Sequence, residues 1–438
     1  MHRFSSVFCI LLFFLVMHHF QYRNNELHCE DVPISRIAKE IGTPFYLYSY
    51  ATLRQHFRAF DDAFNDVPHL TCFAMKSNSN LAILKLFALE GGGVDIVSGG
   101  ELYRALKAGV NPKKIVYSGV GKTREDIEYA LQSQILMFNV ESSQEILLLD
   151  EMAGRTGKKA AISIRVNPDI DPQTHPYIST GLRENKFGID IRQALEEYTR
   201  VSGLKNLAVS GVSCHIGSQL TRLSPFVDAL KKLKELIGQL KEIGISVSFL
   251  DLGGGLGITY DQEEPPHPRD YAKAIKDELD IEDVTIILEP GRVIVGNAGI
   301  LVTKVLYKKT TAEKSFIIVD AAMNDLIRPS LYGSFHGIEP VRVAGRRKIK
   351  ADVVGPICES SDFLAKDREM DSFETGDLVA VMSAGAYGFS MSSNYNSRPR
   401  IAEVLGKGEA YHVIRARESY EDLVHGERIP DFMLEGDR

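Results

Sequence analysis

Four polar motifs occur in order along the chain, and each directly follows a short apolar run. Lys76 lies in the sequence FAMKSN, His215 in CHIGSQ, a glycine run at 253–257 in DLGGGLG, and Glu289 with Arg292 in EPGR. An amine is a covalent nucleophile for carbonyl groups. An imidazole can stack on or hydrogen-bond an aromatic ring, and glycines let backbone N–H groups approach an anion. A carboxylate can keep a ring nitrogen protonated, and a guanidinium matches a carboxylate or phosphate.

These four groups on one face of a protein would suit pyridoxal phosphate, which needs an amine, a ring contact, a phosphate cradle and a carboxylate. A water-poor site would disfavour the charged form of Lys76 and so favour the neutral nucleophile. Each motif alone also has a structural interpretation. Lysines are mostly exposed, a histidine is often a satisfied structural residue, a glycine run can be a plain turn, and Glu289 with Arg292 can be an ion pair.

The elements that must position these residues are alternating strands and helices. Eight strands are predicted, at Leu70–Met75, Gly93–Val97, Lys114–Ser118, Ile135–Val140, Ala161–Val166, Leu207–His215, Ser246–Leu252 and Val284–Glu289. The clearest connecting helix runs from Ser224 to Ile243, with Ser224 as its predicted N-cap. Eight such units predict an α/β fold, a (β/α)8 TIM barrel. The motifs then lie at the carboxyl ends of the strands, where such barrels carry their chemistry, and the glycine run falls at the usual phosphate site.

The chain changes character after Arg292. Strands are predicted at Ile300–Tyr307, Ser315–Asp320, Lys348–Val354, Asp377–Ser383, Arg400–Leu405 and Ala410–Arg415, with few helices between them. This predicts a mainly β C-terminal domain. We therefore expect an N-terminal extension at 1–30, a barrel at 45–293, and a β-rich domain formed by 31–44 together with 294–438.

Composition excludes several function classes. The 438 residues carry a net charge of -7, which gives no sign of a nucleic-acid partner. Five scattered cysteines form no C-x-x-C pair, so neither a metal site nor a disulfide framework is indicated, and a cytoplasmic location is expected. The apolar run Val7–Met17 is too short to span a membrane and lacks a cleavage site. We expect Met17 to be the true start and the protein to have no membrane partner.

Further polar motifs follow the barrel. RPSLY contains Arg328 and Tyr332, CES contains Cys358 and Glu359, and GAYG contains Tyr387. A thiol beside a carboxylate can act as an acid, although a cysteine is often a buried small hydrophobe. Within the barrel, the loop 167–188 is unusually long, which favours a functional role over a plain solvated connection.

In combination these motifs resemble those of the diaminopimelate decarboxylases, a family of alanine-racemase-like (fold type III) pyridoxal-phosphate enzymes. The resemblance extends from Val32 to Ile414, and the one departure is the apolar extension before Met17. It implies decarboxylation of meso-2,6-diaminopimelate to L-lysine and CO2, the last step of lysine biosynthesis. It also implies a homodimer in which Cys358 and Glu359 enter the active site of the neighbouring subunit.

The resemblance assigns roles residue by residue. For the cofactor it implies a covalent bond to Lys76, ring stacking by His215, a pyridine-nitrogen contact to Glu289, and phosphate contacts from Ser218, Gly254, Gly255, Gly291 and Arg292, supported by Asp95 and Arg165. For the substrate it implies that Arg292, Arg328 and Tyr332 bind the distal carboxylate and Glu359 the distal ammonium. Tyr387 would contact both molecules, and Cys358 would return a proton.

Three alternatives remain open. An ornithine or arginine decarboxylase has the same fold and cofactor, but its substrate offers no distal carboxylate to Arg328, and typical ornithine enzymes carry Asp where this chain has Glu359. An amino-acid racemase would need a second base on the opposite face of the ring. A non-enzymatic pyridoxal-phosphate carrier resembles the barrel alone and would leave residues 294–438 without a purpose.

Overall fold

The chain is described from a computed structural model over residues 17–171, 186–280 and 283–434. It divides into two compact units. The first contains Met1–His19, Ser49–Gly299 and Ser383–Ser390, and the second contains Phe20–Tyr48, Ile300–Met382 and Met391–Arg438. These bounds differ from the predicted ones at residues 20–30, 45–48, 294–299 and 383–390. Residues 45–48 are apolar and fully buried, so their local pattern suits a strand of either unit.

The first unit is built on a closed barrel of eight parallel strands, as the alternating pattern predicted. In chain order the barrel strands are His69–Ala74, Gly93–Ile96, Ile115–Tyr117, Met137–Val140, Ala160–Asn167, Leu207–Ser213, Phe249–Asp251 and Thr285–Leu288. Consecutive strands pair, and the eighth pairs with the first through Ile286 and His69, which closes the ring. A short strand, Ile189–Asp190, pairs with the fifth. All eight predicted strands are present, with bounds that differ from the prediction by no more than three residues.

Helices precede, connect and follow the barrel strands. They span Tyr50–Asp61, Leu81–Leu89, Gly99–Ala108, Arg124–Ser133, Ser143–Arg155, Ile191–Ser202, Ser224–Glu242, Pro268–Glu278 and Arg292–Val295. Side chains of Ser98, Thr123 and Ser142 cap three of them by accepting a backbone N–H. The predicted N-cap at Ser224 is wrong. Leu223 occupies that position and Ser224 is the first helical residue, because Pro225 at the second position needs no N–H partner.

The second unit is mainly β. Its strands are Phe20–Arg23, Glu26–Cys29, Val32–Pro33, Phe45–Ser49, Gly299–Thr310, Ser315–Val319, Ile338–Pro340, Lys348–Val354, Phe363–Asp371, Leu378–Val381, Ala402–Lys407 and Ala410–Arg415. Its helices are Ile34–Ile41, Arg328–Tyr332, Tyr420–Leu423 and Asp431–Leu434. Phe45 and Leu47 pack with Ile34, Ile300 and Val302 in one buried cluster, so a strand early in the chain completes this core.

Some sequence-based expectations fall outside the described residues, including the apolar run before Met17 and residues 172–185 of the long loop. In the part of the chain that the structure describes, no helix has the length and apolar character needed to cross a membrane.

Candidate active site

The carboxyl ends of the barrel strands surround a cavity of about 400 Å³. Lys76, His215 and Glu289, which follow the first, sixth and eighth strands, all line it. The other lining residues are Val97, Ser118, Gly119, Val120, Gly121, Asn139, Arg165, Phe187, Ser213 and Cys214. Parallel strands therefore bring four predicted residues, including Arg165, together on one face, although Lys76 and Glu289 are more than 200 positions apart in the chain.

Lys76 faces a carboxylate across this cavity. Its Nζ donates a hydrogen bond to Asp95 Oδ2 at 3.1 Å, and Asp95 is fully buried at the end of the second strand. Burial opposes the charge on Lys76, but the negative charges of Asp95 and Glu289 outweigh that effect and raise the pKa of the amine. The expected lowering of this pKa is therefore wrong for the protein alone, because the site supplies carboxylates as well as a dry environment.

His215 is held by the glycine run. Its Nδ1 accepts a hydrogen bond from the backbone N–H of Gly254 at 3.1 Å. Burial, together with the positive charges of Lys76 and Arg165, lowers the pKa of the imidazole well below its ordinary value. The ring is therefore neutral at physiological pH, with the proton on Nε2, and it is fixed in orientation beside the cavity.

Glu289 belongs to a buried network that the sequence analysis identified only in part. Asn139 Nδ2 donates to Asp251 Oδ2 at 2.8 Å and lies 3.3 Å from Glu289 Oε1, while Ser118 Oγ lies 3.4 Å from the same Glu289 oxygen. Burial, reinforced by the charge of Asp251, raises the pKa of Glu289 well above its ordinary value. Asp251 lies two residues before the first glycine of the run, and this position was the one available signal for it.

The glycine run has no room for side chains. A Cβ on Gly254 would lie 2.1 Å from the carbonyl oxygen of Glu289. Gly255 has φ +122, and a Cβ there would lie 2.5 Å from the carbonyl oxygen of Gly217. Asp251 Oδ1 accepts the N–H of Gly253 at 2.9 Å. The run is therefore a tightly packed backbone turn between the sixth and eighth strand ends, as a close anion contact requires.

Arg292 and Ser218 lie beside this turn. Arg292 Nη2 donates to Ser218 Oγ at 3.3 Å and Nη1 donates to Tyr260 Oη at 2.5 Å. The guanidinium also lies 5.0 Å from the ring centre of Tyr387, so Arg292 contacts two other predicted residues. Tyr260 was not predicted, since its loop carries no recognisable motif.

Arg165 enters the cavity from the fifth strand. Its Nη1 donates to Glu141 Oε1 at 2.8 Å, and its guanidinium lies 4.9 Å from the ring centre of Phe187. The same carboxylate accepts the N–H groups of Gly119, at 3.0 Å, and of Gly188, at 2.9 Å. Glu141, which was not predicted, thus ties Arg165 to two loops at the cavity rim.

These features fit pyridoxal phosphate. Asp95 Oδ1 and Ser213 Oγ are buried and have no hydrogen-bond partner among the described residues, so polar atoms at the cavity remain to be satisfied. The glycine turn packs closely against Gly217, the residue before Ser218, and Ser218 and Arg292 supply polar groups there. The donor set is therefore that of a ring with a phosphate arm.

Four predicted residues, Arg328, Tyr332, Cys358 and Glu359, lie in the second unit. Arg328 and Tyr332 share the short helix Arg328–Tyr332, and Arg328 is 5% exposed. Its Nη1 lies 3.2 Å from His336 Nε2 and its Nη2 donates to Ser334 Oγ at 3.3 Å. Neither partner was predicted, because nothing in the local sequence links the two positions to the arginine. Arg328 is buried, so its interpretation as a plain surface ion pair is excluded.

Cys358 and Glu359 are exposed on a loop of the same unit. Tyr395 Oη donates to Glu359 Oε2 at 2.6 Å, and this hydrogen bond lowers the pKa of Glu359. The N–H of Cys358 donates to Asn396 Oδ1 at 3.0 Å. Ser330 Oγ donates to the carbonyl of Ser361 at 2.6 Å, which fastens the loop to the helix that carries Arg328.

Comparisons with known proteins show the family. Residues 50–296 match the model of the pyridoxal-dependent decarboxylase family, pyridoxal binding domain. A diaminopimelate decarboxylase of Haemophilus influenzae is 54% identical over 93% of this chain and 98% of its own. The crystal structure of the Helicobacter pylori diaminopimelate decarboxylase complexed with L-lysine is 46% identical, with a TM-score of 0.87 over 90% of this chain and 98% of that chain.

A second solved structure agrees. The diaminopimelate decarboxylase of M. jannaschii in co-complex with L-lysine is 38% identical, with a TM-score of 0.89 over 94% of this chain and 98% of that chain. Both identities exceed what a shared fold alone requires, and each match extends over both units. The chain belongs to the diaminopimelate decarboxylases, within the family of pyridoxal-dependent decarboxylases.

Proposed function

We propose that this protein decarboxylates meso-2,6-diaminopimelate to L-lysine and CO2, with pyridoxal phosphate bound through Lys76. The observation that carries the proposal is the convergence of Lys76, His215 and Glu289 on one cavity beside the glycine turn. The relatives named above support the same substrate. Family membership favours this activity over the racemase and carrier alternatives.

The chain offers a group for each part of the cofactor. Lys76 is the covalent attachment point, and the fixed neutral ring of His215 is the stacking surface. Glu289 would contact the pyridine nitrogen, and Ser218, Gly254, Gly255, Gly291 and Arg292 would hold the phosphate. When bound, the cofactor supplies an electron sink for the carbon that loses CO2. Asp95 holds the Lys76 ammonium at 3.1 Å and so fixes the direction of this side chain.

Substrate selection is assigned to the second unit. Arg328 is a buried cation whose planar fork suits the carboxylate at the unreactive end of the substrate. Tyr332, on the same helix, would support that contact together with Arg292, while Glu359 would accept the distal ammonium. Tyr387 would contact both cofactor and substrate, and Cys358 would donate the proton that replaces CO2. Ornithine and arginine offer no distal carboxylate, so a buried cation at Arg328 disfavours them.

The active protein is proposed to be a homodimer in which Cys358 and Glu359 of one subunit complete the site of the other. The exposure of both residues and the anchoring of their loop by Asn396, Tyr395 and Ser330 support this role. A cytoplasmic location and a place in lysine biosynthesis remain predictions.

Two experiments test the proposal. CO2 release from equal concentrations of meso-diaminopimelate, ornithine and arginine should be confined to the first substrate. Release from ornithine or arginine at a comparable rate would overturn the substrate assignment. Borohydride reduction of the cofactor-loaded protein, followed by peptide mapping, should label Lys76, and a Lys76→Ala variant should give no label. A label on another lysine would contradict the cofactor assignment without affecting the first result.

A further inference from the structure

We infer that His336 is a positioning residue that fixes the guanidinium of Arg328 and thereby supports selection of substrates with a distal carboxylate. The inference rests on the proposed function of Arg328, and it adds a residue outside the set that the sequence motifs identified. It is carried by the hydrogen bonds of a fully buried imidazole in the second unit.

Two hydrogen-bond partners of His336 determine its protonation state. Its Nδ1 lies 2.9 Å from the carbonyl oxygen of Met382, which can only accept, so Nδ1 carries a proton. Its Nε2 lies 3.2 Å from Arg328 Nη1, which can only donate, so Nε2 must be the acceptor. A charged imidazole would point an N–H at the guanidinium, so only the neutral ring with its proton on Nδ1 satisfies both contacts.

The backbone around His336 fixes the ring in place. The N–H of Met382 donates to the carbonyl of Gly337 at 2.8 Å, so both backbone groups of Met382 hold the His336–Gly337 segment. Arg368 Nη1 donates to the carbonyl of His336 at 3.0 Å. The imidazole acceptor is therefore presented to Arg328 by a segment that is anchored at three points.

This anchoring has a consequence for binding. A free arginine side chain must lose rotamer freedom when it grips a ligand, whereas an arginine that is already oriented loses less. His336 and Ser334, the second anchor, are both neutral groups, so neither of them compensates the charge of Arg328. The arginine is thus oriented by these two contacts without being neutralised by them.

A matched pair of substitutions separates the two hydrogen bonds of His336. His336→Asn retains an N–H near the position of Nδ1 and removes the acceptor for Arg328. His336→Gln places an amide oxygen near the position of Nε2 and retains that acceptor. We expect His336→Asn to reduce kcat/KM for meso-diaminopimelate roughly ten- to hundredfold, mainly through KM, as for the loss of a hydrogen bond to a charged group. His336→Gln should stay within about threefold of the wild type by the same reasoning.

A binding measurement on the holoenzyme distinguishes positioning from general damage. L-Lysine keeps a carboxylate at the unreactive end, whereas 1,5-diaminopentane has none. His336→Asn should raise the inhibition constant of L-lysine by the same factor as the KM for meso-diaminopimelate. It should leave the inhibition constant of 1,5-diaminopentane unchanged. Equal weakening of both inhibitors would mean that His336 is merely structural, and unchanged inhibition by both would also overturn the inference.

Arg328→Ala serves as the reference variant. If it leaves inhibition by L-lysine intact, the proposed role of Arg328 has failed. If it weakens that inhibition and a folded His336→Asn does not, only the positioning role of His336 has failed. If His336→Asn does not fold, His336→Gln alone tests the positioning role of His336. A folded His336→Gln that keeps its affinity for L-lysine supports the inference, and one that selectively loses this affinity contradicts it.

Discussion

Asp251 and Glu289 are two buried carboxyl groups, at the ends of the seventh and eighth barrel strands, that share the side-chain amide of Asn139. Asn139 Nδ2 donates to Asp251 at 2.8 Å and lies 3.3 Å from Glu289. Two buried carboxyl groups this close cannot both be charged without a large cost, so the pair retains a proton. Glu289 is thereby a more basic partner for a pyridine nitrogen than an isolated glutamate.

Glu289→Gln should retain cofactor binding and lose at least about a hundredfold of turnover, or ~2.7 kcal/mol of barrier, because an amide cannot hold the ring nitrogen protonated. The measurement is kcat together with cofactor occupancy determined by absorbance. Glu289→Asp, which keeps the charge, should lose less than the amide variant. Near-normal turnover of Glu289→Gln at full occupancy would show that the carboxylate is structural.

The same pair predicts a pH dependence of stability. Burial raises the pKa of Asp251 to about 6. Between about pH 4 and about pH 6, the folded cofactor-free protein therefore keeps a proton that the unfolded chain has lost. The free energy of unfolding falls as the pH rises through this window. Asp251→Asn should flatten this fall, which amounts to about 3 kcal/mol by the same linkage. Denaturant unfolding between about pH 4 and 7 measures it, and parallel curves for wild type and variant would refute the assignment.

The barrel and its strand ends were predictable because apolar runs and helical periodicity are local signals. The order of parallel strands then placed Lys76, His215 and Glu289 on one face, and the structure confirms that placement. The strand Phe363–Asp371 was missed because its charged side chains conceal the alternation, and only its pairing with Lys348–Val354 establishes it.

Partners distant in sequence could not be predicted. Tyr260 meets Arg292, and Arg328 meets Ser334 and His336, without a motif that marks any of these contacts. The pKa of Lys76 was predicted in the wrong direction for a related reason. Burial can be inferred from a strand end, but the number of carboxylates facing the amine depends on the whole ring of strands.

Arg328→Ala should leave the absorption of the bound cofactor unchanged and reduce kcat/KM for meso-diaminopimelate. Removing a buried cation leaves the substrate carboxylate incompletely paired, at a cost of about 2–5 kcal/mol, or roughly thirty- to several-thousandfold. Steady-state kinetics measure the loss, and Arg342→Ala, at an exposed arginine of the same unit, is the control. Wild-type kinetics in Arg328→Ala would remove this residue from the site and reopen the ornithine alternative.

The proposed dimer predicts complementation between inactive variants. Lys76→Ala and Cys358→Ala should each be inactive. After mixing and random subunit exchange, about half of the dimers are heterodimers, and each heterodimer has one intact site of two. The mixture should therefore recover up to roughly a quarter of normal activity. Activity is followed together with proof of exchange by mass spectrometry of labelled subunits. If exchange occurs without any recovery, each site is complete within one chain.

The most direct test of the whole account is the stoichiometry of the reaction with meso-diaminopimelate. Purified, cofactor-loaded protein should produce one L-lysine and one CO2 for each diaminopimelate consumed, and Lys76→Ala, measured beside it, should produce neither. Consumption or isomerisation of diaminopimelate without CO2, or the absence of lysine from a protein shown to carry its cofactor on Lys76, would contradict the account.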